Sequence, residues 1–221
     1  METKKIDNLV LKQDQLYVWD AIAESWYNLR RKPLLPIIRN LSAQWKPGKL
    51  LDVGCGNCRN TIIFAKHDFD CYGVDFSKEM IRHAEKFSKE NKVNIKLKVA
   101  NATTLPFRDS SFDYVMCTAL LHHISSVQER RKVLSEIKRV LKKNGEALIS
   151  VWNKLQPSFL FGGKEKYVGW RIGSATYYRY HYFFTYWELK KMLKKEGFKI
   201  LDHSGPLGRN IVFIVKKEEQ R

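Results

Sequence analysis

At 221 residues, of which 44% are hydrophobic, the chain is long enough for one well-buried domain and too short for two of ordinary size. It has no run of about eighteen apolar residues, and its polar start METKKIDN does not resemble a signal peptide, so we expect a cytoplasmic protein that does not enter a membrane. Forty Lys and Arg against 23 Asp and Glu leave a formal net charge of +17, which favours a polyanionic partner such as nucleic acid. A basic proteome or the lysine-rich surface of a thermophile's protein would give the same excess.

The chain begins with a helical segment and then alternates short apolar runs with helical patterns. Residues 7–45 predict two or three helices, interrupted near Pro33 and Pro36. The predicted strands are KLLDVG, DCYGVD, NIKLKVAN, SFDYVMCTALL and EALISVWN, with helices predicted between them at 60–66, 77–91 and 127–143. A helix that ends before Gly197 is followed by a predicted strand pair, FKILDH and NIVFIVKK.

Strands that alternate with helices predict βαβ units, a mostly parallel sheet and therefore an α/β fold. We predict one domain over residues 1–221, with an N-terminal helical segment at 1–46. The alternation lapses at 152–187, where a segment rich in aromatic and basic residues is inserted after the fifth strand.

A glycine loop follows the first predicted strand in LLDVGCGNCRN. Gly54 and Gly56 allow a tight turn in which a ligand can lie against backbone N–H groups. Asp75 stands at the end of the second strand, where a carboxylate can accept both ribose hydroxyls of a nucleotide-like ligand. Arg59 occupies the place of the third glycine of a dinucleotide-binding loop. The remaining alternative is a glycine turn that merely packs a helix on a strand.

Two adjacent histidines, His122 and His123, follow the fourth predicted strand. Such a pair could act in catalysis, bind a metal or seal the end of a core strand. We predict no metal site, because the side chains of adjacent residues diverge and no further ligands surround the pair in sequence. Cys55 and Cys58 form a CxxC without a second ligand pair, so we predict ordinary free thiols.

Three stretches together resemble the class I S-adenosylmethionine-dependent methyltransferases: DVGCGN with the distant Asp75, NATTLPFRDSSFDYV, and RVLKKNG at 139–145. The resemblance covers residues 50–151. It implies a Rossmann-like sheet of seven strands, parallel except for one, and S-adenosylmethionine as the cofactor. Asn101 stands where the family usually has Asp and is expected to hydrogen-bond the adenine amino group. The cofactor-binding residues that the resemblance implies are Asp52, Gly54, Gly56, Asn57, Asp75, Phe76, Asn101, Ala102 and Thr118.

Segments outside these motifs resemble the tRNA methyltransferases that esterify 5-carboxymethyluridine at the wobble position. The matching segments are VWDAIAESWYNLRRKPLLP, LHHIS with the pair Arg130-Arg131, the pair Val151-Trp152, and RYHYFFTYWEL. The chain departs from the family pattern at Leu29, Leu34, Ser126, His181-Tyr182 and Trp187.

The resemblance implies that the acceptor is a carboxylate, which is ionised at neutral pH, so transfer needs placement rather than a strong base. We assign Arg30 and Arg179 to the acceptor, because a guanidinium binds a carboxylate or phosphate in a fork; either residue could instead be a surface cation. His122 is expected to face the acceptor and position it, while His123 packs or caps the next helix. Asp20 is expected to orient Arg30 or the cofactor, or to cap its helix.

Trp152 and Tyr180 are candidates to stack on an extruded base, with core packing as the alternative. The resemblance also implies two partners, the anticodon loop of tRNA and a small zinc-binding activator subunit that forms a heterodimer and holds the zinc itself. Two rival functions remain, a small-molecule methyltransferase of the quinone or sterol kind and a non-catalytic RNA-binding scaffold. The charge of +17 disfavours the first, and the intact Gly54, Gly56 and Asp75 disfavour the second.

Overall fold

The computed structural model describes residues 13–218, and the helix content predicted for residues 7–12 lies outside them. The described α-helices are α1 (Gln15–Leu29), α2 (Ile37–Gln44), α3 (Thr61–Ala65), α4 (Lys78–Glu90), α5 (Val127–Val140) and α6 (Tyr186–Lys195). The strands are β1 (Lys49–Val53), β2 (Asp70–Asp75), β3 (Ile95–Val99), β4 (Phe112–Thr118), β5 (Leu141–Trp152), β6 (Glu165–Ile172), β7 (Ala175–Tyr182), β8 (Phe198–His203) and β9 (Asn210–Lys217). Short 3-10 turns form at Leu121–His123 and Pro157–Phe159.

Seven of these strands form one sheet in the order β3-β2-β1-β4-β5-β9-β8. The pairings from β3 to β5 are parallel, while β9 runs antiparallel to both of its neighbours. This confirms the predicted seven-stranded sheet with one antiparallel strand. Because β1 pairs with both β2 and β4, the strand order reverses at β1, and ligands of doubly wound folds bind at the carboxyl edge beside such a point.

The central strands are buried on both faces, which explains their continuous apolar runs. On one face, residues of α5 and α6 pack with Val115 of β4 and Ile149 of β5. On the other face, residues of α2, α3 and α4 pack with Met116 and Leu148 from the same two strands. No helix among residues 13–218 is long and apolar enough to cross a membrane.

The inserted segment forms an antiparallel hairpin, β6–β7, outside the main sheet. Two glutamines at the start of the chain's described part join it to α1. The Gln13 and Gln15 side-chain oxygens accept hydrogen bonds from the backbone N–H groups of Tyr178 and Tyr180, each at 2.9 Å. The hairpin therefore lies against α1, and the two elements together cover one side of the sheet's carboxyl edge.

The helix predicted to extend over 127–143 ends at Val140, so the predicted boundary is wrong by three residues. Leu141 is instead in register with Phe112 at the start of β4. The Val140 carbonyl accepts a hydrogen bond from Ser111 N–H at 2.8 Å, and Lys142 forms an ion pair with Asp113 at 2.8 Å. Contacts with residues distant in sequence therefore stabilise an extended backbone after Val140 instead of a further helical turn. The local sequence remains amphipathic there and does not by itself indicate the end of the helix.

Replacing Leu141 by Ala tests this boundary. The Leu141 side chain is 0% exposed, and its removal leaves a cavity, so we expect the free energy of unfolding to fall by about 2–5 kcal/mol. Denaturant unfolding followed by tryptophan fluorescence measures the change. The control is Val127→Ala at the start of α5, where the side chain is 44% exposed and the loss should stay below about 1 kcal/mol. Equal losses in the two variants would contradict the buried position of Leu141.

Candidate active site

A cavity of about 630 Å³ lies at the carboxyl edge of the sheet. The glycine loop, the end of β2, residues 100–103 and the end of β4 form one half, and α1, β7 and Trp152 form the other. Nearly all of the predicted site residues meet here. Those that line the cavity are Arg30, Gly54, Gly56, Asn57, Asp75, Phe76, Asn101, Ala102, Thr118, His122, Trp152 and Arg179.

The glycine loop approaches the end of β2 closely. Gly54 has φ +73°, and a Cβ atom there would lie 2.9 Å from the side chain of Leu120, so a larger residue would be both strained and crowded. The N–H of Gly56 donates to Oδ2 of Asp75 at 2.9 Å, and the N–H of Ser77 donates to Oδ1 at 3.0 Å. Each carboxylate oxygen keeps one lone pair, so Asp75 can still accept two hydroxyl groups of a ligand.

Two buried carboxyl groups belong to this half of the site: Asp75 in the cavity wall and Asp52 outside it. Burial raises the pKa of Asp75 to about 6, against the opposing effect of the Ser77 and Gly56 N–H groups. Burial also raises the pKa of Asp52 to about 7, and its Oδ1 lacks a hydrogen-bond partner while Oδ2 accepts from Thr61 at 2.6 Å. Asp52 does not line the cavity, so its predicted direct contact with the cofactor is not formed by the cavity wall; its hydrogen bond joins the end of β1 to Thr61 at the start of α3. Both groups would be stabilised as carboxylates by a cationic ligand.

Asn101 presents a different group from the one expected. Its Oδ1 accepts hydrogen bonds from both the N–H and the hydroxyl of Thr103, each at 2.9 Å. Because the backbone N–H can only donate, the side-chain oxygen is the occupied atom, and the NH2 has no partner among the described residues. Asn101 therefore offers a donor, suited to a ring nitrogen such as adenine N1, rather than a further acceptor for an amino group.

The two halves of the cavity are connected through the asparagines of the glycine loop. The Asn57 side chain donates to the backbone oxygen of Arg30 at 2.8 Å. Asn60 donates to the hydroxyl of Thr118 at 2.8 Å and accepts from the N–H of Leu34 at 2.9 Å. The chain after α1 is thus held by the loop that forms the other half of the site.

Arg30 and Arg179 converge on an aromatic wall formed by Trp26 and Trp170. The guanidinium carbons of Arg30 and Arg179 lie 5.6 and 4.9 Å from the Trp170 ring centroid. Burial, together with the charge of Arg30, lowers the pKa of Arg179 to about 10. Neither arginine forms an ion pair with another described residue. Arg59 lies on the same wall. Its role in the site was not predicted, because it stands where a dinucleotide-binding loop has its third glycine and was interpreted only as a departure from that pattern.

The direction of its side chain corrects the predicted role of Tyr180. Tyr180 does not line the cavity and packs in the core, because alternate residues of a strand face opposite sides and Arg179 and His181 take the cavity side. His181 is thus a site residue that the sequence analysis missed, although period-two alternation from Arg179 would have found it.

Asp20 does not contact Arg30 or cap its own helix. Its Oδ1 accepts from the Ser77 hydroxyl at 2.5 Å and from the Glu79 N–H at 3.3 Å, so it caps the start of α4. Since Asp20 is also absent from the cavity wall, it is a positioning residue that joins α1 to α4.

The premise that His122 and His123 diverge is wrong. Their ring centroids are 4.3 Å apart, and His181 joins them so that one nitrogen from each ring lies within 4.8 Å of the others. Such a trio has the composition of a metal site, but its protonation argues against one. The Trp152 N–H points at Nδ1 of His122, so a neutral ring carries its proton on Nε2 and has no lone pair to offer. A nearby charge, that of Arg179, further disfavours a cation.

All three imidazoles are neutral. Burial, helped by neighbouring positive charge, lowers the pKa of His122 and His123 well below the ordinary range and that of His181 to about 4. His122 can therefore donate a hydrogen bond through Nε2–H but is poorly suited to act as a base, and its positioning role stays a prediction. His123 packs, with its Nδ1 donating to the Tyr180 carbonyl at 2.9 Å.

The four cysteines are free and buried, as predicted. Cys58 has φ +61°, a left-handed conformation that favours glycine. The pKa of Cys55 is raised, first by its hydrogen bond with Cys58 and then by burial, which disfavours the reactive thiolate form of Cys55.

Comparison with known proteins supports a transfer reaction at this cavity. Residues 51–149 match the family model described as a methyltransferase domain. A protein of Encephalitozoon cuniculi named as a methyltransferase is 32% identical over 162 residues, covering 70% of this chain and 71% of that protein. The tRNA (carboxymethyluridine(34)-5-O)-methyltransferase of Arabidopsis thaliana is 31% identical over 137 residues, which cover 61% of this chain and 31% of that protein.

The match to some relatives is partial. A Bacillus subtilis protein named as a methyltransferase is 38% identical over 102 residues, and the alignment spans 46% of this chain and 39% of that protein. Among solved structures, an S-adenosylmethionine-dependent methyltransferase of Methanosarcina mazei superposes with a TM-score of 0.72 at 23% identity, covering 85% of this chain and 99% of that one. That likeness shows the fold.

Asp52→Asn tests the electrostatic state of the ligand-free site. Because the folded-state pKa of Asp52, about 7, exceeds its usual value of 3.8, the folded form loses relative stability as pH rises from 3.8 to 7. An uncharged isostere avoids this loss, so the variant should gain about 1–3 kcal/mol more at pH 8 than at pH 5. Urea unfolding at both pH values measures the gain. The exposed Asp68→Asn is the control, and an equal pH response in both variants would contradict the buried-charge explanation.

Proposed function

Because the chain belongs to the class I S-adenosylmethionine-dependent methyltransferase family, we propose that it methyl-esterifies 5-carboxymethyluridine at the wobble position of tRNA. The cofactor, S-adenosylmethionine, supplies a methyl group on a cationic sulfonium centre. Asp75 would bind the ribose hydroxyls, Asn101 the adenine, and the two buried carboxyl groups favour the positive charge. These residues fit the cofactor.

One observation carries the choice of acceptor. Arg30 and Arg179 lie on one tryptophan wall without an acidic partner among the described residues, in the cavity that begins at Asp75. Two unpaired guanidinium groups attract an anion, and a carboxylate binds them in a fork. Relatives of Arabidopsis thaliana and Xenopus tropicalis that are named for this reaction, at 31% and 33% identity, support the same assignment.

The residues of the chain hold and orient the acceptor. The arginines and the Nε2–H of His122 donate to the carboxylate, while Trp152 packs against both His122 and His181 and can stack on an extruded base. The acceptor needs no deprotonation, which agrees with the neutral His122. Rate acceleration then comes from in-line placement of an oxygen against the methyl carbon and from exclusion of water.

The partners follow from the same proposal. The anticodon loop of tRNA is the expected macromolecular substrate, consistent with the charge of +17, and a cytoplasmic location goes with it. We also propose a small zinc-binding activator subunit as a heterodimer partner. The edge strand β3, with Val99 54% exposed, offers unpaired backbone groups to which another protein can add.

A transfer assay tests the function. The protein, with and without the candidate activator, is incubated with S-adenosylmethionine labelled in the methyl group and with bulk tRNA, which is then digested. We expect a labelled methyl ester of carboxymethyluridine that alkali removes. Arg179→Gln should lower transfer by at least about tenfold while keeping cofactor affinity, because one charge-assisted contact is lost. Asp75→Ala should lose cofactor affinity instead.

The outcomes separate the alternatives. Label in a lipid extract and none in tRNA would favour a small-molecule methyltransferase, and cofactor binding without transfer would favour a scaffold. An Arg179→Gln variant as active as the unaltered protein would contradict the acceptor assignment. The control is Arg171→Gln, which removes the same charge from an exposed position on β6.

The pH dependence of transfer tests the absence of a general base. At saturating cofactor, we expect kcat to stay constant between about pH 6.5 and 8, because the acceptor is already a carboxylate. No cavity imidazole titrates in that window, since the pKa values of His122 and His123 are well below normal and that of His181 is about 4. A rise of kcat with pH through neutrality that persists in Asp52→Asn, where the carboxyl group of pKa about 7 is removed, would indicate a base and an acceptor that must lose a proton.

A further inference from the structure

Three arginines meet at the side chain of Trp26. The guanidinium carbons of Arg30, Arg59 and Arg179 lie 5.7, 5.9 and 5.6 Å from the centroid of its ring. They come from three different elements, the end of α1, the glycine loop and β7. None of the three is ion-paired within residues 13–218. We call Arg30, Arg59 and Arg179 the arginine cluster.

The arginine cluster is electrostatically unfavourable as it stands. Burial, then the charge of Arg30, lowers the pKa of both Arg59 and Arg179 to about 10. The buried Nε of Arg179 has no hydrogen-bond partner in the described part of the chain. Asp52 lies near enough to favour the charge of Arg59, but the pKa of that carboxyl is itself raised to about 7, so the compensation is incomplete. The cluster therefore gains by binding an anion.

From this geometry we infer that the arginine cluster admits the acceptor only as an anion and that methylation releases the product by removing its charge. The inference rests on the proposed function and adds Arg59 as a specificity-determining residue of the same site.

The chemistry of ester formation explains the release. An oxygen of the acceptor carboxylate forms a bond to the methyl carbon, and the carbon–sulfur bond breaks with its electron pair left on sulfur. One anion and one cation disappear, a neutral ester and a neutral thioether remain, and no proton is released. Charge-assisted hydrogen bonds from the guanidinium groups are about twice as strong as those to a neutral carbonyl. The ester therefore leaves the arginine cluster poorly paired and dissociates faster than the acid.

The same reasoning predicts how Arg59 affects kinetics. Carboxylate charge is already reduced in the transition state, so a contact to that charge stabilises the bound acceptor at least as much as the transition state. Loss of the contact should then raise the KM for the acceptor more than it lowers kcat. A merely structural role of Arg59 would not produce this split.

Equilibrium binding of matched RNAs tests the inference. Three anticodon stem-loops carry the carboxymethyl acid, its methyl ester or its neutral carbamoyl analogue at the wobble uridine, and S-adenosylhomocysteine is present to prevent turnover. We expect the acid to bind at least about tenfold more tightly than the other two, the effect of one charge-assisted hydrogen bond. Arg59→Gln should reduce this preference and raise the KM, and Arg59→Lys should retain part of it. Arg171→Gln, the control, should weaken all three RNAs equally and keep the preference.

The results distinguish the inference from the proposed function. Equal affinities for acid and ester in a protein that methylates the acid would overturn the inference and leave the function intact. If no RNA accepts a methyl group, the proposed function fails, and the arginine cluster is tested with acetate against methyl acetate through the fluorescence of its tryptophan wall. A response to acetate alone, lost in Arg59→Gln, would retain the anion selectivity, and equal responses would overturn it.

Discussion

The carboxylate of Asp75 is the contact on which the rest of the site depends. Its two oxygens accept the N–H groups of Gly56 and Ser77, and so join the glycine loop to the start of α4. Ser77 in turn donates its hydroxyl to Asp20 of α1. Because α1 carries Trp26 and Arg30, the position of the acceptor wall follows from the same chain of hydrogen bonds that shapes the cofactor loop.

The two halves of the cavity carry groups of opposite charge, and burial disfavours the charged form of both kinds of group. On the cofactor side, burial raises the pKa of Asp52 and Asp75 above the usual range for carboxyl groups. On the acceptor side, burial lowers the pKa of Arg59 and Arg179. Each half is relieved by a ligand of the opposite sign. A sulfonium cofactor and the proposed carboxylate acceptor would meet this requirement together, and their reaction would remove both charges at once.

The buried histidines of the cavity are neutral. Three imidazoles buried beside a guanidinium cannot easily gain a proton, because burial and positive charge act in the same direction. His122 is thereby kept as a donor, with its Nδ1 occupied by the backbone N–H of Trp152. A site built in this way favours orientation over proton transfer, as methylation of a carboxylate requires.

Local patterns in the sequence predict most strands of the sheet, the glycine loop and the acid at the end of β2, because apolar runs, glycine turns and helix caps are local and strongly constrained. The Ser77 cap of α4 was predictable for the same reason. The count of seven strands with one antiparallel came from the resemblance. The resemblance also predicts that Arg30 and Arg179 belong to the site. The end of α5 at Val140 depends on tertiary contacts, because its partners Ser111 and Phe112 are distant in sequence. The tertiary structure also shows that His181 rather than Tyr180 faces the cavity, that Asp20 caps α4 and that Arg59 contacts Trp26. The contacts of Asp20 and Arg59 could not be predicted from the sequence, since side-chain direction depends on which elements pack together.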